Sequence, residues 1–270
     1  MPSRGVLYIV IGDRPLYREG VIRSATSLKR AMPDMPTALV TDGTIEGPFD
    51  HHIAIAETDP AKIAPGPFPC RAKIIGMKQT PFEHTLYLDA DTAVLADLSE
   101  VFELLDGFDA ALTHAQGRVA HALDDVPGSF PEFNCGVIAY RDNPLVRSFL
   151  DEWLVEYDVL APQRPWNQDQ PSFRRLAYRT PALRIATLTP EFNRKFDTAG
   201  YVKGPIRVLH GWPPLEVGYE GVAAAMAAGG VDNPKVFAGG RVFDREGKRV
   251  ADFLPRWHRL RALRRRVVTR

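Results

Sequence analysis

The chain of 270 residues is 45% hydrophobic and 25% charged, an ordinary globular composition with enough apolar material for one large α/β domain or two smaller ones. Its formal net charge of +1 excludes a global basic field of the kind that binds nucleic acid, so we expect no nucleic-acid partner. Cys70 and Cys135 cannot build a disulfide framework and fit a reducing cytoplasm. The apolar run from Val6 to Ile11 is too short for a signal-peptide core or a membrane span, and it is typical of a first strand.

Short apolar runs alternate with stretches of helical spacing, which predicts an α/β fold: a mostly parallel sheet with helices on both faces. In the first half we expect a strand over 5–11, a helix over 16–31, strands over 37–41 and 52–56, a helix over 71–79 and a strand over 85–88. In the second half we expect a helix over 98–105, a strand over 110–113, a surface loop over 114–131, a strand over 134–140, a helix from 143 or 144 to 157, a helix over 168–178, a strand over 183–187, a last core strand over 206–210 and a hairpin over 239–250.

Two aspartates, Asp89 and Asp91, directly follow the predicted strand 85–88. Side chains at i and i+2 of an extended chain point the same way, so both carboxylates can face one ion. Mg²⁺ or Mn²⁺ held by two carboxylates keeps open positions, which water and substrate phosphate oxygens normally fill. The pair therefore predicts a metal-bound diphosphate just past the carboxyl end of a strand, where α/β sheets bind ligands.

Further segments, together with this pair, resemble the GT-A glycosyltransferases, and among them glycosyltransferase family 8 and related nucleotide-diphospho-sugar transferases. The segments occur in the expected order over roughly residues 5–215. They are Lys73 on the helix before the metal strand, Thr85–Leu88 with Asp89-Ala90-Asp91-Thr92, the strand Phe133–Tyr140 with Asn134 and Gly136, Asp169-Gln170-Pro171 at a helix start, and Arg207-Val208-Leu209-His210-Gly211. The resemblance implies a GT-A (Rossmann-like) fold that uses a nucleotide-diphosphate sugar and a divalent metal.

The resemblance implies that Asp89, Asp91 and His210 bind the metal, with Asp89 also close to the donor ribose. Two carboxylates and one imidazole suit Mn²⁺ better than Mg²⁺. A histidine at a strand end also has a simpler explanation, which is a contact with the backbone.

Catalytic roles are implied for Asn134, Asp169 and Gln170, which would face the donor sugar. An asparagine amide donates to and accepts from hydroxyls, and a carboxylate accepts from them. These residues also have structural explanations that the sequence leaves open, because Asn134 could cap a strand end and Asp169-Gln170 could cap a helix.

Donor contacts are implied for Lys73 at the diphosphate and for Tyr17 and Arg23, which follow the first strand where such folds hold the base and phosphates. Asp42, after the second strand, would accept from the base or ribose, and Lys73 could instead be solvated. The chain departs from the family after the histidine: it reads His210-Gly211-Trp212-Pro213-Pro214, without the usual lysine. Lys73, Lys203, Arg207 or the metal would then have to meet the phosphate charge.

We predict a GT-A domain over residues 1–250 and a basic amphipathic tail over 251–270. The tail contains seven arginines against Asp252 alone, a local charge of +6 that leaves about −5 for the rest of the chain. Apolar residues recur in it at three- to four-residue spacing and include Trp257, which is typical of a helix at a membrane surface, although such a helix could also pack on the domain.

The sequence thus predicts a metal-dependent glycosyltransferase, which is cytoplasmic or peripheral on the inner face of the cell membrane, and the family resemblance implies transfer with retention of configuration. The expected acceptor is a saccharide or glycolipid of a bacterial envelope. Two alternatives remain. In a haloacid-dehalogenase-type phosphatase, Asp89 would be the nucleophile and Asp91 the acid/base, but that motif belongs on the strand that opens a domain. The other is a non-catalytic nucleotide-sugar-binding protein.

Overall fold

The computed structural model describes residues 3–57, 59, 69–115, 122–163, 168–215, 217–228, 230 and 234–254. The chain divides between Leu188 and Thr189 into two compact units. The first unit contains a mixed β-sheet with its helices, and the second contains a small antiparallel sheet with one helix.

The first unit is built on a seven-stranded sheet of order β3-β2-β1-β4-β7-β6-β8. Strands β3, β2, β1 and β4 are parallel, β7 is antiparallel to both of its neighbours, and β8 is parallel to β6, so four of the six strand pairs are parallel. The strands of this unit, including the short β5 outside this sheet, are β1 Arg4–Val10, β2 Thr37–Thr41, β3 His51–Ala54, β4 His84–Leu88, β5 Thr92–Val94, β6 Ala110–His114, β7 Phe133–Arg141 and β8 Ile185–Thr187.

Helices cover both faces of this sheet. Alternate residues of a strand point to opposite faces, so strands that are apolar throughout need a helix layer on each side. Leu7 and Ile9 of β1 pack in one cluster with residues of α2, α4 and α5, whereas Tyr8 between them accepts a hydrogen bond from Ser24 of α1. The helices of the unit are α1 Pro15–Ala31, α2 Cys70–Met77, α3 Ser99–Leu104, α4 Pro144–Leu160 and α5 Gln170–Arg179. This arrangement confirms the predicted fold class.

The start of α4 shows how the sequence fixes a helix boundary. The Asn143 side chain accepts a hydrogen bond from the Val146 N–H at 2.8 Å, and Pro144 takes the first helical position, where its missing N–H costs nothing. The apolar stripe of α4 then buries Trp153 and Tyr157 against the sheet cluster. The result is a rigid support behind the site described below.

The second unit has an antiparallel four-stranded sheet of order β10-β12-β13-β14 and a parallel pair formed by β9 and β11. Phe196, Leu209, Val222 and Phe237 belong to its own hydrophobic core. The elements are β9 Arg194–Lys195, β10 Gly200–Val202, β11 Val208–His210, α6 Gly218–Ala227, β12 Lys235–Ala238, β13 Arg241–Phe243 and β14 Arg249–Asp252.

The expectation of a last core strand over 206–210 is wrong in its location. Strand β11 pairs with β9 of the second unit and is not part of the seven-stranded sheet. A three-residue strand carries no sequence information about its partner, since the tertiary fold settles which strands pair. The predicted hairpin over 239–250 is confirmed, because β13 and β14 pair antiparallel around Asp244 and Gly247.

The predicted boundary between a domain over 1–250 and a tail over 251–270 stays a prediction. Ala251 and Asp252 lie in β14 and Phe253 is buried in the core of the second unit, whereas 255–270 lie outside the described residues. Among the helices in the described part of the chain, none is both long enough and apolar enough to cross a membrane.

Candidate functional site

The turn between β4 and β5 presents Asp89 and Asp91 at the carboxyl end of a buried strand. The Asp89 N–H donates to the Gly136 carbonyl of β7 at 2.8 Å, and the Asp89 carbonyl accepts from the Thr92 N–H at 3.2 Å and the Thr92 hydroxyl at 2.8 Å. Ligand oxygens of Asp89 and Asp91 lie within 4.8 Å of each other. Two partly buried carboxylates at this spacing match the hard oxygen ligands that Mg²⁺ and Mn²⁺ take in proteins, so the residues fit the implied metal.

Lys73 of α2 lies between two carboxylates. Its Nζ is 2.7 Å from Asp169 Oδ2 and 3.2 Å from Asp89 Oδ1, and it stands 5.1 Å from the centre of the Tyr87 ring. Burial alone would lower the pKa of this ammonium, but the charges of Asp169 and Asp89 outweigh it and raise the pKa well above its ordinary value. Lys73 is therefore a fixed positive charge that joins Asp89 to Asp169, and not a solvated helix lysine.

Tyr87, two residues before Asp89 on β4, donates from its hydroxyl to Asp89 Oδ1 at 2.5 Å. Burial and the Asp89 charge together raise the pKa of the Tyr87 phenol well above its ordinary value, so it stays a donor. Lys73 and Tyr87 both contact Oδ1, which fixes the orientation of the Asp89 carboxylate.

Asp169 precedes α5 at the cap position, yet within the described structure its side chain makes no capping hydrogen bond. Its carboxylate instead pairs with Lys73, and its backbone carbonyl accepts from the Ser172 hydroxyl at 2.7 Å and the Trp153 indole N–H at 3.4 Å. The capping explanation for Asp169 is therefore wrong. The helix start instead holds the carboxylate toward the end of β4.

Gln170 and Asn134 are each held by a local contact. Gln170 Nε2 donates to Glu132 Oε1 at 2.7 Å, and Asn134 Oδ1 accepts from the Gly136 N–H at 3.0 Å. Asn134 thus lies on β7 beside the glycine whose carbonyl holds Asp89. Glu132, which is only 1% exposed, is a site residue that the sequence reasoning missed. An acidic residue immediately before a long, mostly apolar strand is the signal that points to it.

The residues predicted to contact the nucleotide have different surroundings. Tyr17 is half-buried, and burial raises the pKa of its phenol against the opposing charge and hydrogen bond of Arg14. Both oxygens of the Asp42 carboxylate lie 3.0 Å from the Gly12 N–H, where φ of +81° requires glycine. Asp42 therefore shapes the loop after β1, and Arg23 is exposed on α1.

In the second unit, His210 is 6% exposed at the end of β11, and its Nδ1 lies 2.8 Å from Asn193 Oδ1. An amide oxygen only accepts, so Nδ1 carries the proton and Nε2 carries the lone pair that a metal would need. Asn193, which is 1% exposed, was not foreseen from the sequence. It fixes the tautomer in the way that outer hydrogen-bond partners of metal-bound histidines do.

Of the residues considered for the phosphate charge in this unit, Lys203 is exposed and its backbone N–H donates to Glu191 Oε1 at 2.6 Å. The Arg207 guanidinium stands 5.9 Å from the centre of the Phe192 ring. That Lys73, Lys203, Arg207 or the metal meets the phosphate charge stays a prediction.

The chain is similar in structure to glycosyltransferases. GlyE of Streptococcus pneumoniae aligns over 77% of this chain and 55% of its own, with a TM-score of 0.55 and 15% identity. Mouse xyloside xylosyltransferase 1 aligns over 77% of this chain and 97% of its own, with a TM-score of 0.53 and 15% identity. The galactosyltransferase LgtC, solved in complex with donor and acceptor sugar analogues, aligns over 78% of this chain and 87% of its own, with a TM-score of 0.50 and 15% identity.

No protein-family model and no curated protein sequence matches this chain. This chain spans about half the length of the GlyE chain that it matches. At these identities the similarity shows the fold, so the chain has the GT-A glycosyltransferase fold that the sequence motifs predicted.

Proposed function

We propose that the chain is a metal-dependent glycosyltransferase that moves a sugar from a nucleotide-diphosphate sugar to a saccharide acceptor. The observation that carries this proposal is the Asp89-Asp91 turn at the end of β4 in a GT-A fold, together with the Lys73 bridge to Asp169. Fold similarity by itself would not support an activity, whereas paired carboxylates at a ligand-binding strand end are a chemical reason for one.

We assign Asp89, Asp91 and His210 as the residues that would hold the divalent ion. The support is the paired carboxylates in the first unit and, in the second, a histidine whose Asn193 contact leaves Nε2 as the acceptor nitrogen. This mixed oxygen and nitrogen set favours Mn²⁺ over Mg²⁺. When bound, the ion would supply positive charge for the leaving diphosphate.

The remaining predicted residues are assigned to the donor. Asp169, Gln170 and Asn134 face the sugar: Asp169 and Asn134 bind its hydroxyls, and Gln170 lies near the anomeric carbon, where oxocarbenium-like charge develops. Tyr17, Arg23 and Asp42 belong to the nucleotide end, and Asp89 also accepts from the ribose. Lys73 supplies the counter-charge for Asp89 and Asp169, and its contact with the donor diphosphate is part of the proposal.

Transfer with retention of configuration is part of the proposal, because it needs no dedicated general base at the acceptor hydroxyl. A saccharide acceptor is supported by the acceptor analogue bound to LgtC. We extend it to glycolipids of a bacterial envelope, with the arginine-rich segment 251–270 attaching a cytoplasmic protein to the anionic membrane surface.

A thermal-shift panel tests the proposal. UDP-, GDP-, CMP- and dTDP-sugars are each added with and without Mn²⁺ to wild type, to Asp91→Ala and to the matched control Asp34→Ala, which removes an exposed aspartate elsewhere. A donor present at about 100 times its Kd adds about 2.7 kcal/mol to the free energy of unfolding, which is readily seen. We expect one nucleotide class to raise Tm only with Mn²⁺ in wild type and in the control, and not in Asp91→Ala.

Two other outcomes would replace the proposal. Turnover of a simple phosphate ester without any nucleotide sugar would make the chain a phosphatase with Asp89 as nucleophile. Metal-dependent donor binding without transfer to any saccharide and without donor hydrolysis would make it a binding protein.

A further inference from the structure

A cavity of about 390 Å³ lies in the second unit, against the four-stranded sheet. This volume falls within the range of about 300–1,000 Å³ that small-molecule sites occupy. Its lining includes Tyr201, Lys235, Val236, Phe243, Asp244 and Arg245. None of these residues belongs to the site proposed above.

One wall of the cavity is a row of apolar side chains on three adjacent strands. Tyr201 of β10 is paired with Val236 of β12, which is paired with Phe243 of β13, so the three side chains share one face of the sheet. Tyr201 is 50% exposed and Val236 is 44% exposed. The core of this unit is on the opposite face, where the neighbouring residues Val202, Phe237 and Val242 are at most 1% exposed. The hydrophobic core of this unit therefore does not use the apolar row, which is left to line the cavity.

The other wall is the β13–β14 hairpin, which holds the Asp244 carboxylate in a fixed position. Asp244 Oδ1 accepts from the Lys248 N–H at 2.8 Å and from the Glu246 N–H at 3.1 Å. Gly247 adopts a φ of +77° that closes the turn. The Asp244 carboxylate is thus fixed beside the aromatic surface, and the exposed Arg245 guanidinium, which pairs with Glu246, also lines the cavity.

We propose that this cavity is a saccharide-binding site separate from the donor site. A sugar ring offers an apolar C–H face, which would lie against Tyr201 and Phe243, and an edge of hydroxyls, which would donate to Asp244 and accept from Arg245. Few polar groups among aromatic and aliphatic side chains are typical of small-ligand sites. The identification of this saccharide as part of the acceptor rests on the proposed function, whereas the binding itself does not.

The experiment is a titration of ¹⁵N-labelled full-length protein with methyl α-glucoside, methyl β-galactoside, N-acetylglucosamine, lactose and cellobiose, followed by amide chemical shifts. We expect at least one of these saccharides to shift amides of β10, β12 and the β13–β14 hairpin at millimolar concentration. Tyr201→Ala should weaken the Kd at least about tenfold. Tyr201→Phe, which keeps the ring, should bind within about twofold of wild type.

The inference is overturned if none of the five saccharides shifts these amides, or if Tyr201→Ala binds as tightly as wild type. A spectrum of Tyr201→Ala that otherwise matches wild type excludes misfolding as the cause of lost binding. Mn²⁺-dependent donor stabilisation, measured on the same variants, distinguishes the two proposals. It would persist in Tyr201→Ala if only this inference fails, and it would be absent in wild type if the proposed function fails.

Discussion

Lys73 shows how a single residue organises the candidate site. A buried ammonium is costly unless it is paired, and here Asp169 at 2.7 Å and Asp89 at 3.2 Å supply the compensating charge. The same contacts make the two carboxylates dependent on Lys73, since removal of the cation would leave them facing each other without a counter-charge. The residue therefore affects both the stability of the fold and the geometry of the Asp89 and Asp169 carboxylates.

Lys73→Met tests this dependence. We expect the variant to lose about 3 kcal/mol of the free energy of unfolding, because one partner of a buried ion pair is removed while the others remain. Lys78→Met is the matched control: its partner Asp151 is largely exposed, and such pairs contribute about 0.5 kcal/mol. Urea denaturation of the two variants measures both values, and equal losses would contradict the buried-pair interpretation.

The hydrogen bond between Asn193 and His210 predicts how the affinity for the proposed metal responds to substitution of Asn193. If Asn193 Oδ1 holds the proton of His210 on Nδ1, Asn193→Ala should weaken Mn²⁺ binding by about tenfold, whereas Asn193→Asp keeps an acceptor oxygen and should bind nearly as wild type. Mn²⁺ titration followed by electron paramagnetic resonance measures the affinity without any sugar. Unchanged affinity in Asn193→Ala would argue against His210 as a ligand.

At the scale of elements, helix α5 organises the segment from 122 to 131. Arg174 is 1% exposed and donates to the carbonyls of Pro127 and Phe130, at 3.0 Å and 2.8 Å from Nη2. Arg175 and Arg179 of the same helix pair with Asp125. Because α5 begins at Gln170, these contacts connect the segment to the helix whose start holds Asp169.

Arg174→Met should leave those carbonyls unsatisfied and destabilise the segment. We expect a loss of about 2 kcal/mol in the free energy of unfolding and faster hydrogen exchange of amides in 122–131. Arg179→Met, which removes a half-exposed arginine of the same helix, should change both quantities much less. Hydrogen-exchange mass spectrometry on the two variants measures this difference. Equal exchange rates of the 122–131 amides in both variants would contradict the role of Arg174.

Asp50 connects α1 to the start of β2. Its Oδ2 accepts from Lys29 Nζ at 2.9 Å and from the Thr37 N–H at 2.8 Å, and the hydrogen bond from Lys29 chiefly lowers the Asp50 pKa to about 2. A carboxyl whose pKa is lower in the folded than in the unfolded protein stabilises the fold at pH values above its unfolded pKa of about 4. That stabilisation is lost as the pH falls from about 4 toward 2. Because Asp50 is half exposed, we expect Asp50→Asn to cost only about 1 kcal/mol at pH 7. Urea denaturation from pH 7 to pH 3 should show this difference shrinking below pH 4, and a constant difference would contradict it.

At the scale of the whole molecule, charge is concentrated at one end of the sequence. Residues 255–270 contain seven arginines and no acidic residue, in a chain whose net charge is only +1. Each basic residue near an anionic lipid surface contributes about 1 kcal/mol, so this segment alone would attach the protein to such a membrane. The first 250 residues have a net charge of about −5, which gives no overall attraction to an anionic surface.

Deletion of 255–270 should abolish co-sedimentation with phosphatidylglycerol vesicles and leave Mn²⁺-dependent donor stabilisation unchanged. The deletion begins after Leu254, so that β14 and the buried Phe253 are retained. Vesicles of phosphatidylcholine are the control and should bind neither protein. Undiminished sedimentation of the shortened chain with anionic vesicles would show that the segment is not the membrane contact.

The sequence alone determined the strands of the seven-stranded sheet, the helices of the first unit and the carboxylates Asp89, Asp91 and Asp169, but not the short strand β5 or Glu132. Thr37–Thr41 begins and ends as predicted, α4 begins at Pro144 behind its Asn143 cap, and β4 delivers Asp89 and Asp91, because these features depend on local periodicity, capping and alternation. Local rules also identified the β13–β14 hairpin through its turn residues.

Only the tertiary structure decided which side chains meet. The sequence alone does not distinguish a helix-capping role of Asp169 from a role in the site. The fold places Lys73 Nζ 2.7 Å from the Asp169 carboxylate, and a contact between residues 96 positions apart leaves no local pattern in the sequence. The same holds for Asn193 beside His210, for β11 pairing with β9, and for the Tyr201-Val236-Phe243 row. Short strands and buried polar partners owe their places to packing between distant segments, and propensity carries no information about that packing.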